Sequence, residues 1–344
     1  MTILAIETSC DDTCIAIVKA LGKKRANFSV LSNIVSSQVK VHQKWGGVYP
    51  TLAKREHQKN LPIVLKKALN KANKSLRVKI DLIAVTVGPG LEPCLWVGVN
   101  FAKNLAQDWN LPIVPVNHIE AHILVNFQFS PAVSGIQKIF PAVCLVVSGG
   151  HTQLILMKDF GKYKILGETR DDAAGECFDK IARILGLGYP GGPAIAAAAA
   201  KITNYKLQIT NKLPRPMINQ KNYDFSFSGL KTAVLYGYKN QPIKEMCKEV
   251  QQAIIDVLIK KTIKATKDFG AKTIILGGGV AANNELRKQF IENCKLKIEN
   301  CRFLVPPKNL CTDNAVMTAI AGYFNLNKKT KNWRKIKANA NIKL

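Results

Sequence analysis

The chain has no long apolar run. Its 344 residues are 47% hydrophobic, yet no stretch approaches the roughly 18–20 apolar residues of a membrane span. The opening residues, Met1 to Glu7, lack a basic segment and meet an acid early, so they read as a first strand and not as a signal peptide. Nine cysteines include no Cys-x-x-Cys pair, so neither a zinc ribbon nor a thioredoxin motif is offered. The odd, scattered set reads as free thiols in a reducing cytoplasm. Patterns of zinc fingers, recognition helices and RNP sequences are absent. Acidic residues are scarce, 23 against 50 Lys and Arg, which leaves a net charge of +27. Such a field favours a polyanionic partner. The basic set is 41 Lys and 9 Arg. That skew, with abundant Asn and Ile, is also the mark of an AT-rich genome, and composition leaves both readings open.

The length argues for about two domains. The most specific local feature is His118-Ile119-Glu120-Ala121-His122. Residues four apart on a helix stand one turn apart on one face, so the segment can offer two imidazoles to one metal ion. A pair of satisfied or surface histidines would have the same spacing.

Two apolar β-rich runs around a polar turn, Thr8 to Thr13, make residues 3–18 a hairpin. Its Ser, Thr and Asp residues could hold a phosphate or a cation, or form an ordinary polar tip. A third strand is expected at Ser29–Ser36, a helix over 51–74 and a buried strand at Leu82–Val87 that Gly88-Pro89-Gly90 breaks. A helix over 94–109, a strand at Leu111–Val116 and the histidine helix His118–Phe127 follow. Gln128–Ile139, with Ser, Pro and Gly, reads as a domain boundary.

The opening pattern then recurs. Residues 142–156 are again strand, small polar turn and strand, with Ser148-Gly149-Gly150-His151 as the turn. The recurrence suggests duplicated domains facing each other across a cleft. Asp179 and Lys180 lie on an amphipathic helix that stops at Gly186, and Gly191-Gly192-Pro193 leads into an alanine-rich helix. The lysine-rich 201–221 stretch reads as irregular, Phe225–Val234 as a strand or turn entering a helix, and 242–268 as a long helix. A strand at Thr273–Leu276 runs into Gly277-Gly278-Gly279 and then a helix start near Ala282–Glu285. Strand, glycine loop and helix N-terminus make a seat for a nucleotide. After a strand at Arg302–Val305, Asp313 precedes the helix Ala315–Phe324. It could cap that helix or add a carboxylate to the two histidines. The tail from Lys328 is strongly basic.

Seven motifs in order carry a resemblance over nearly the whole chain: Ile6 to Asp11, Asn117 to His122, Val147 to Thr152, Asp171 to Gly192, Phe225 to Lys231, Gly277 to Asn283 and Cys311 to Asn314. The chain resembles the bacterial TsaD family, the tRNA N6-adenosine threonylcarbamoyltransferases. The resemblance implies an α/β, duplicated actin-like (ASKHA) fold, that of sugar kinases and heat-shock ATPases, with two lobes around a nucleotide cleft. The lobes are expected at 1–127, with about 325–344 packing back on it, and at 128–324. By resemblance, His118, His122 and Asp313 bind one divalent metal per subunit, generally taken as Fe2+, with Zn2+ also compatible with the ligand set. Val147, Ser148, Gly149, Gly150, His151, Asp179, Gly192 and Asn283 bind threonylcarbamoyl-AMP. The group is moved onto adenosine 37 of tRNAs reading codons that begin with A, in the cytoplasm, with TsaB and TsaE as partners and no membrane.

Three places depart from the family pattern. Glu92, Pro93 and Trp96 replace small residues, which could alter a helix start or a partner surface. Ala196 stands where many members have an aspartate that can contact the ribose. Asp12 stands where Glu is frequent. The donor is a mixed anhydride whose AMP leaves well, so it needs orientation and charge neutralisation, not a covalent nucleophile. Asp11 or Asp12 is the expected base or positioning group. A zinc protease would put Glu directly after the first His; here that residue is Ile119, and Glu120 should point away from the pair. A kinase or ATPase of the same fold leaves the histidines without a task, and the intact loops argue against a mere scaffold.

Overall fold

A computed structural model describes residues 1–22, 27–73, 78–128, 139–202, 212–237 and 242–344. The expected boundary at Gln128–Ile139 and the lysine-rich 201–221 stretch therefore lie in part outside the described residues. The chain divides into two units, Met1–Ile136 with Asp313–Leu344, and Gln137–Thr312.

The first unit begins with β1 (Thr2–Glu7), β2 (Asp12–Leu21) and β3 (Asn27–Ser37), followed by α1 (Val39–His42), α2 (Pro50–Ala72), β4 (Leu82–Gly88), α3 (Glu92–Asp108), β5 (Ile113–Asn117) and α4 (His118–Leu124). Its sheet has the order β3-β2-β1-β4-β5. The first three strands pair antiparallel, and β4 and β5 add in parallel. β1 is buried along its whole length, as a continuous apolar run covered on both faces must be. Leu4, Ile6, Ile15, Ile17 and Val85 pack with Leu61 and Val64 of α2 and Val99 of α3. Each such side chain contributes roughly 1.5–3 kcal/mol on full burial.

The second unit contains β6 (Ala142–Val147), β7 (Thr152–Asp159), β8 (Lys162–Glu168), α5 (Ala174–Ile184), α6 (Gly191–Ala199), α7 (Ser228–Gly237), α8 (Ile243–Asp268), β9 (Thr273–Gly277), α9 (Asn284–Lys297) and β10 (Arg302–Leu304). Its sheet order, β10-β9-β6-β7-β8, is that of the first sheet read in reverse. Again three antiparallel strands are followed by two parallel additions. The fold is thus the duplicated α/β arrangement that the repeated strand-turn-strand pattern implied. Phe178, Ile181, Phe225, Phe227, Leu258, Ile274 and Phe290 lie in its core.

α10 (Ala315–Phe324) ends the regular helices. The chain returns to the first unit at Asp313, whereas the lobes were expected to place residues up to 324 in the second. The cause is the apolar α10, which packs on β1, β2 and β4. A Cβ on its Gly322 would lie 2.7 Å from the Ala84 Cβ of β4, so glycine there permits the approach.

Other differences are local. α3 starts at Glu92 with Pro93 in its first turn. Two of the three unusual residues, Glu92 and Pro93, therefore help the helix begin, because Pro is pre-set for that turn and an acid favours its N-terminus. The expectation that all nine thiols are free is corrected at one pair: Cys294 and Cys301 form a disulfide, with Cα atoms 5.7 Å apart. They bracket the turn from α9 into β10, where Asn300 takes a positive φ of 54°. The other seven cysteines are free. Among the described residues, no helix is long and apolar enough to cross a membrane.

Candidate metal centre and nucleotide loops

In the first unit, two helix starts are built alike. The Asn117 side chain accepts from the N–H groups of Ile119 and Glu120 at 2.9 and 3.1 Å, which sets the first turn of α4. The Asn314 side chain accepts from Met317 N at 3.0 Å and caps α10. The side-chain bond to Met317 N thus comes from Asn314, next to the Asp313 carboxylate. It lies 3.6 Å from His118 Nε2 and 3.3 Å from His122 Nε2. The three residues offer ligand atoms that all lie within 4.8 Å of one another.

His118 is 5% and His122 1% exposed, so water does little for either ring. Among the described residues, His122 Nδ1 has no hydrogen-bond partner, and Nε2 faces only the Asp313 carboxylate at 3.3 Å. A buried imidazole nitrogen with so long a contact is poorly satisfied, and a cation between Nε2 and Asp313 would satisfy it. Metal–ligand bonds of roughly 2.0–2.2 Å put cis ligands about 3.0–3.5 Å apart, close to the spacings seen. The residues fit a single divalent ion. Burial pushes His122 below its ordinary value, toward the neutral form that can ligate. Burial also opposes charge on His118, but the Glu7 and Asp313 carboxylates outweigh it and push that ring up to about 9. A bound cation would take the place of its Nε2 proton. Glu120 is not in the cluster; its carboxylate accepts from Asn325 Nδ2 at 2.9 Å.

The acidic turn between β1 and β2 is held from α2. His57 Nε2 lies 2.9 Å from the Cys10 carbonyl and Nδ1 lies 2.8 Å from Thr13 Oγ1. Nε2–H therefore donates to Cys10, and the Thr13 hydroxyl donates to Nδ1. Burial raises Asp11, with the Asp313 charge adding to it. The same two causes, burial first, push Asp12 up to about 7.

The second unit carries the other expected site residues. Between β6 and β7, Ser148 N donates to the His151 carbonyl at 2.8 Å and His151 N to Ser148 Oγ at 3.1 Å. Gly149 and Gly150 form the tip, and a Cβ on either would meet nothing within 4 Å. The first turn of α5 abuts this tip through Gly175 N, which donates to the Ser148 carbonyl at 3.1 Å. Asp179 accepts from Gly191 N at 2.7 Å, tying α5 to the start of α6, where Gly192 follows. The Gly277–Gly279 run does not open α9 directly. A 3-10 turn, Gly279–Ala282, intervenes, and Asn283 caps α9 by accepting from Leu286 N at 3.0 Å. The Asn283 amide also donates to Gln251 at 2.9 Å, so its side chain is engaged at both ends.

A family model described as TsaD, tRNA N6-adenosine threonylcarbamoyltransferase, matches residues 29–320. The chain belongs to the TsaD family. Curated relatives agree over almost the full length. The tRNA N6-adenosine threonylcarbamoyltransferase of Thermosipho africanus is 47% identical over 328 residues, 94% of each chain. Those of Persephonella marina and Clostridioides difficile are 46% and 45% identical, over 94% and 95% of this chain and 90% and 94% of theirs. Among solved structures, full-length HypF in a phosphate- and nucleotide-bound form matches with a TM-score of 0.61 at 12% identity, over 95% of this chain. HypF of T. kodakarensis matches with 0.62 at 14%, also over 95%. The chain spans 55% and 47% of those two proteins, and at such identities the likeness shows the actin-like fold alone. TsaD-family membership makes the protein a tRNA-modifying acyltransferase. Sequence reasoning missed two residues that support the family's histidine segment and first loop, Glu7 and His57. A carboxylate ending an apolar strand and a histidine on the inner face of an amphipathic helix were the available signals.

Proposed function

We propose that the protein transfers the threonylcarbamoyl group of threonylcarbamoyl-AMP to N6 of adenosine 37 in tRNAs reading codons that begin with A. The observation that carries the chemistry is the buried convergence of His118, His122 and Asp313 in a chain of this family. These three residues would hold one ion, with Fe2+ preferred by a two-His, one-carboxylate set and Zn2+ acceptable to it. When bound, the ion supplies Lewis acidity that polarises and orients the donor.

The chain's own residues do the rest. The Val147–His151 turn offers backbone N–H groups and open space beside Gly149 and Gly150, suited to phosphate or ribose oxygens. Gly192, at the start of α6, offers helix-start N–H groups, and Asp179 fixes that start. The engaged Asn283 side chain sets the loop that follows Gly277–Gly279, so its contribution to the adenylate is through the backbone. Ala196 offers a methyl where a carboxylate would reach a sugar hydroxyl, so ribose recognition rests on the remaining groups. In the reaction the N6 amine attacks the carbamoyl carbon, the bond from that carbon to the phosphate oxygen breaks, and AMP leaves with the electron pair. The N6 proton needs an acceptor. Asp12 is the stronger candidate, since a carboxylate near 7 suits general-base work at neutral pH; Asp11 adjoins it as a positioning group. The basic surface receives the anticodon loop, and TsaB and TsaE act as partners in the cytoplasm.

The test supplies metal-loaded protein, TsaB, TsaE and labelled threonylcarbamoyl donor to a tRNA reading such codons. Label at adenosine 37 is expected; none with active partners and intact donor would refute the proposal.

A further inference from the structure

We propose that Glu7 is the positioning residue of the metal centre, holding His118 in the tautomer that turns Nε2 toward the ion. The inference rests on the metal reading above and adds a residue to it. Glu7 ends β1 and is fully buried. Its Oε1 accepts from Ser9 N at 2.6 Å, and its Oε2 accepts from Thr86 Oγ1 at 2.5 Å. Oε2 also lies 3.2 Å from His118 Nδ1 and 3.4 Å from Thr318 Oγ1. Four elements of the first unit, β1, β4, α4 and α10, thus meet at one carboxylate.

The chemistry of that contact decides the tautomer. An ionised carboxylate only accepts, so the nitrogen facing it must carry the proton. The Ser9 hydroxyl also lies 3.1 Å from Nδ1 and could serve either tautomer, because a hydroxyl donates or accepts. A bare Nδ1 lone pair against the Glu7 oxygen would be repulsive. With the proton on Nδ1, the Nε2 lone pair is directed to the side where Asp313 and His122 stand. Ligating histidines commonly gain orientation and basicity from such a carboxylate, and its loss costs about 10–100-fold in metal affinity. Among the described residues, His122 has no such partner on its Nδ1, so the two rings are unequal ligands.

The experiment uses the full chain loaded with Zn2+ and labelled with 15N-histidine, together with chelator-competition affinities. The expected spectrum shows His118 with a protonated Nδ1 and a metal-bound Nε2; the reverse assignment overturns the proposal without any variant. Glu7→Gln is expected to bind Zn2+ about 10–100-fold more weakly than wild type. Thr86→Val, which removes another Glu7 partner and leaves the His118 contact, is expected to keep the affinity within about twofold, a marker of unperturbed ligation. Equal losses in both variants would mean that Glu7 acts only through folding, and no loss in Glu7→Gln would sink the positioning role. Wild type that binds no metal refutes the metal reading itself, a result distinct from either of those.

Discussion

Gly278 and Gly279 are neighbours with opposite structural demands. Gly278 has φ 87° and ψ 165°, a region open essentially to glycine alone, where another residue costs roughly 1–3 kcal/mol. A Cβ there would sit 2.3 Å from the Val147 carbonyl oxygen and 2.7 Å from its carbon. These are backbone atoms of a central strand and cannot swing aside as a side-chain tip would. Restoring ordinary contact requires a shift of the order of 1 Å between β6 and the loop after β9, and such overpacking costs about 1–3 kcal/mol. Gly278→Ala should therefore destabilise the second unit by about 2–6 kcal/mol, a large share of the roughly 5–15 kcal/mol of a domain. Gly279→Ala is the internal control: its Cβ would meet only Thr312 Cγ2 at 3.9 Å, and it should stay within about 0.5 kcal/mol of wild type. Denaturant unfolding, with hydrogen exchange of the β6 amides as the local report, measures both. The displaced Val147–Ser148 backbone should also weaken threonylcarbamoyl-AMP binding in Gly278→Ala. Equal stabilities for the two variants would refute the close-approach reasoning.

Other expectations follow from single contacts. Gly149→Ala meets open space, so it should unfold within about 0.5 kcal/mol of wild type yet bind the donor more weakly; unchanged binding in a titration would remove the turn from the site. His122→Ala should abolish stoichiometric metal, measured by elemental analysis after dialysis. Asp12, held up at about 7, opposes folding increasingly as pH rises from the usual carboxylate range through 7, because its folded form holds the proton more tightly than its unfolded form. Asp12→Asn should therefore melt higher than wild type at pH 8 in metal-free protein while losing most transfer activity; a lower melting point would contradict this. Asp171 accepts from Ser226 Oγ, Phe227 N, Ser228 N and Ser228 Oγ at 2.6–3.2 Å; burial opposes its charge, but these bonds together outweigh it and hold the carboxyl below the usual range. Its contribution is full above the unfolded carboxylate value and is lost as pH falls through the folded one. Asp171→Ala should cost about 1–2 kcal/mol at pH 7 and flatten the acid limb of a stability-against-pH curve.

Legibility in the sequence tracked the range of the interaction involved. Strongly periodic or capped segments were readable: α10 spans Ala315–Phe324 as expected, and the repeated strand-turn-strand units became two sheets of one topology. β8 was not foreseen, because its Lys162, Lys164 and Glu168 place charge on a sheet edge where alternation is masked. The 3-10 turn at Gly279–Ala282 was hidden since glycine and alanine are equally compatible with a direct helix start. The return of the chain at Asp313 depends on where α10 packs, which local pattern cannot express. Of the candidate metal centre, the spacing of His118 and His122 was legible from helix geometry, and the Asp313 carboxylate was recognisable as a candidate third ligand. Glu7 was not, because its meaning comes from partners 79, 111 and 311 residues away.

The duplication also explains why the two units offer different chemistry from the same position in the fold. β1 ends at Glu7, in register with Cys14 of β2; β6 ends at Val147, in register with Thr152 of β7. The turns that follow are therefore topological equivalents. The first holds Asp11 and Asp12 beyond a buried Glu7, where burial first and the Asp313 charge second raise both aspartates. Such a turn repels a phosphate and suits a cation. The second replaces every acid by Ser148, Gly149, Gly150 and His151 and leaves its tip open. Such a turn suits an anion, through backbone N–H groups and without a competing carboxylate. Exchanging the acidic character would then be more damaging than altering either turn's length: Gly150→Asp should abolish donor binding at nearly unchanged stability, since a Cβ there meets no atom within 4 Å. Retained donor affinity in that variant, measured by calorimetry, would show that the second turn is not the anion-holding member of the pair.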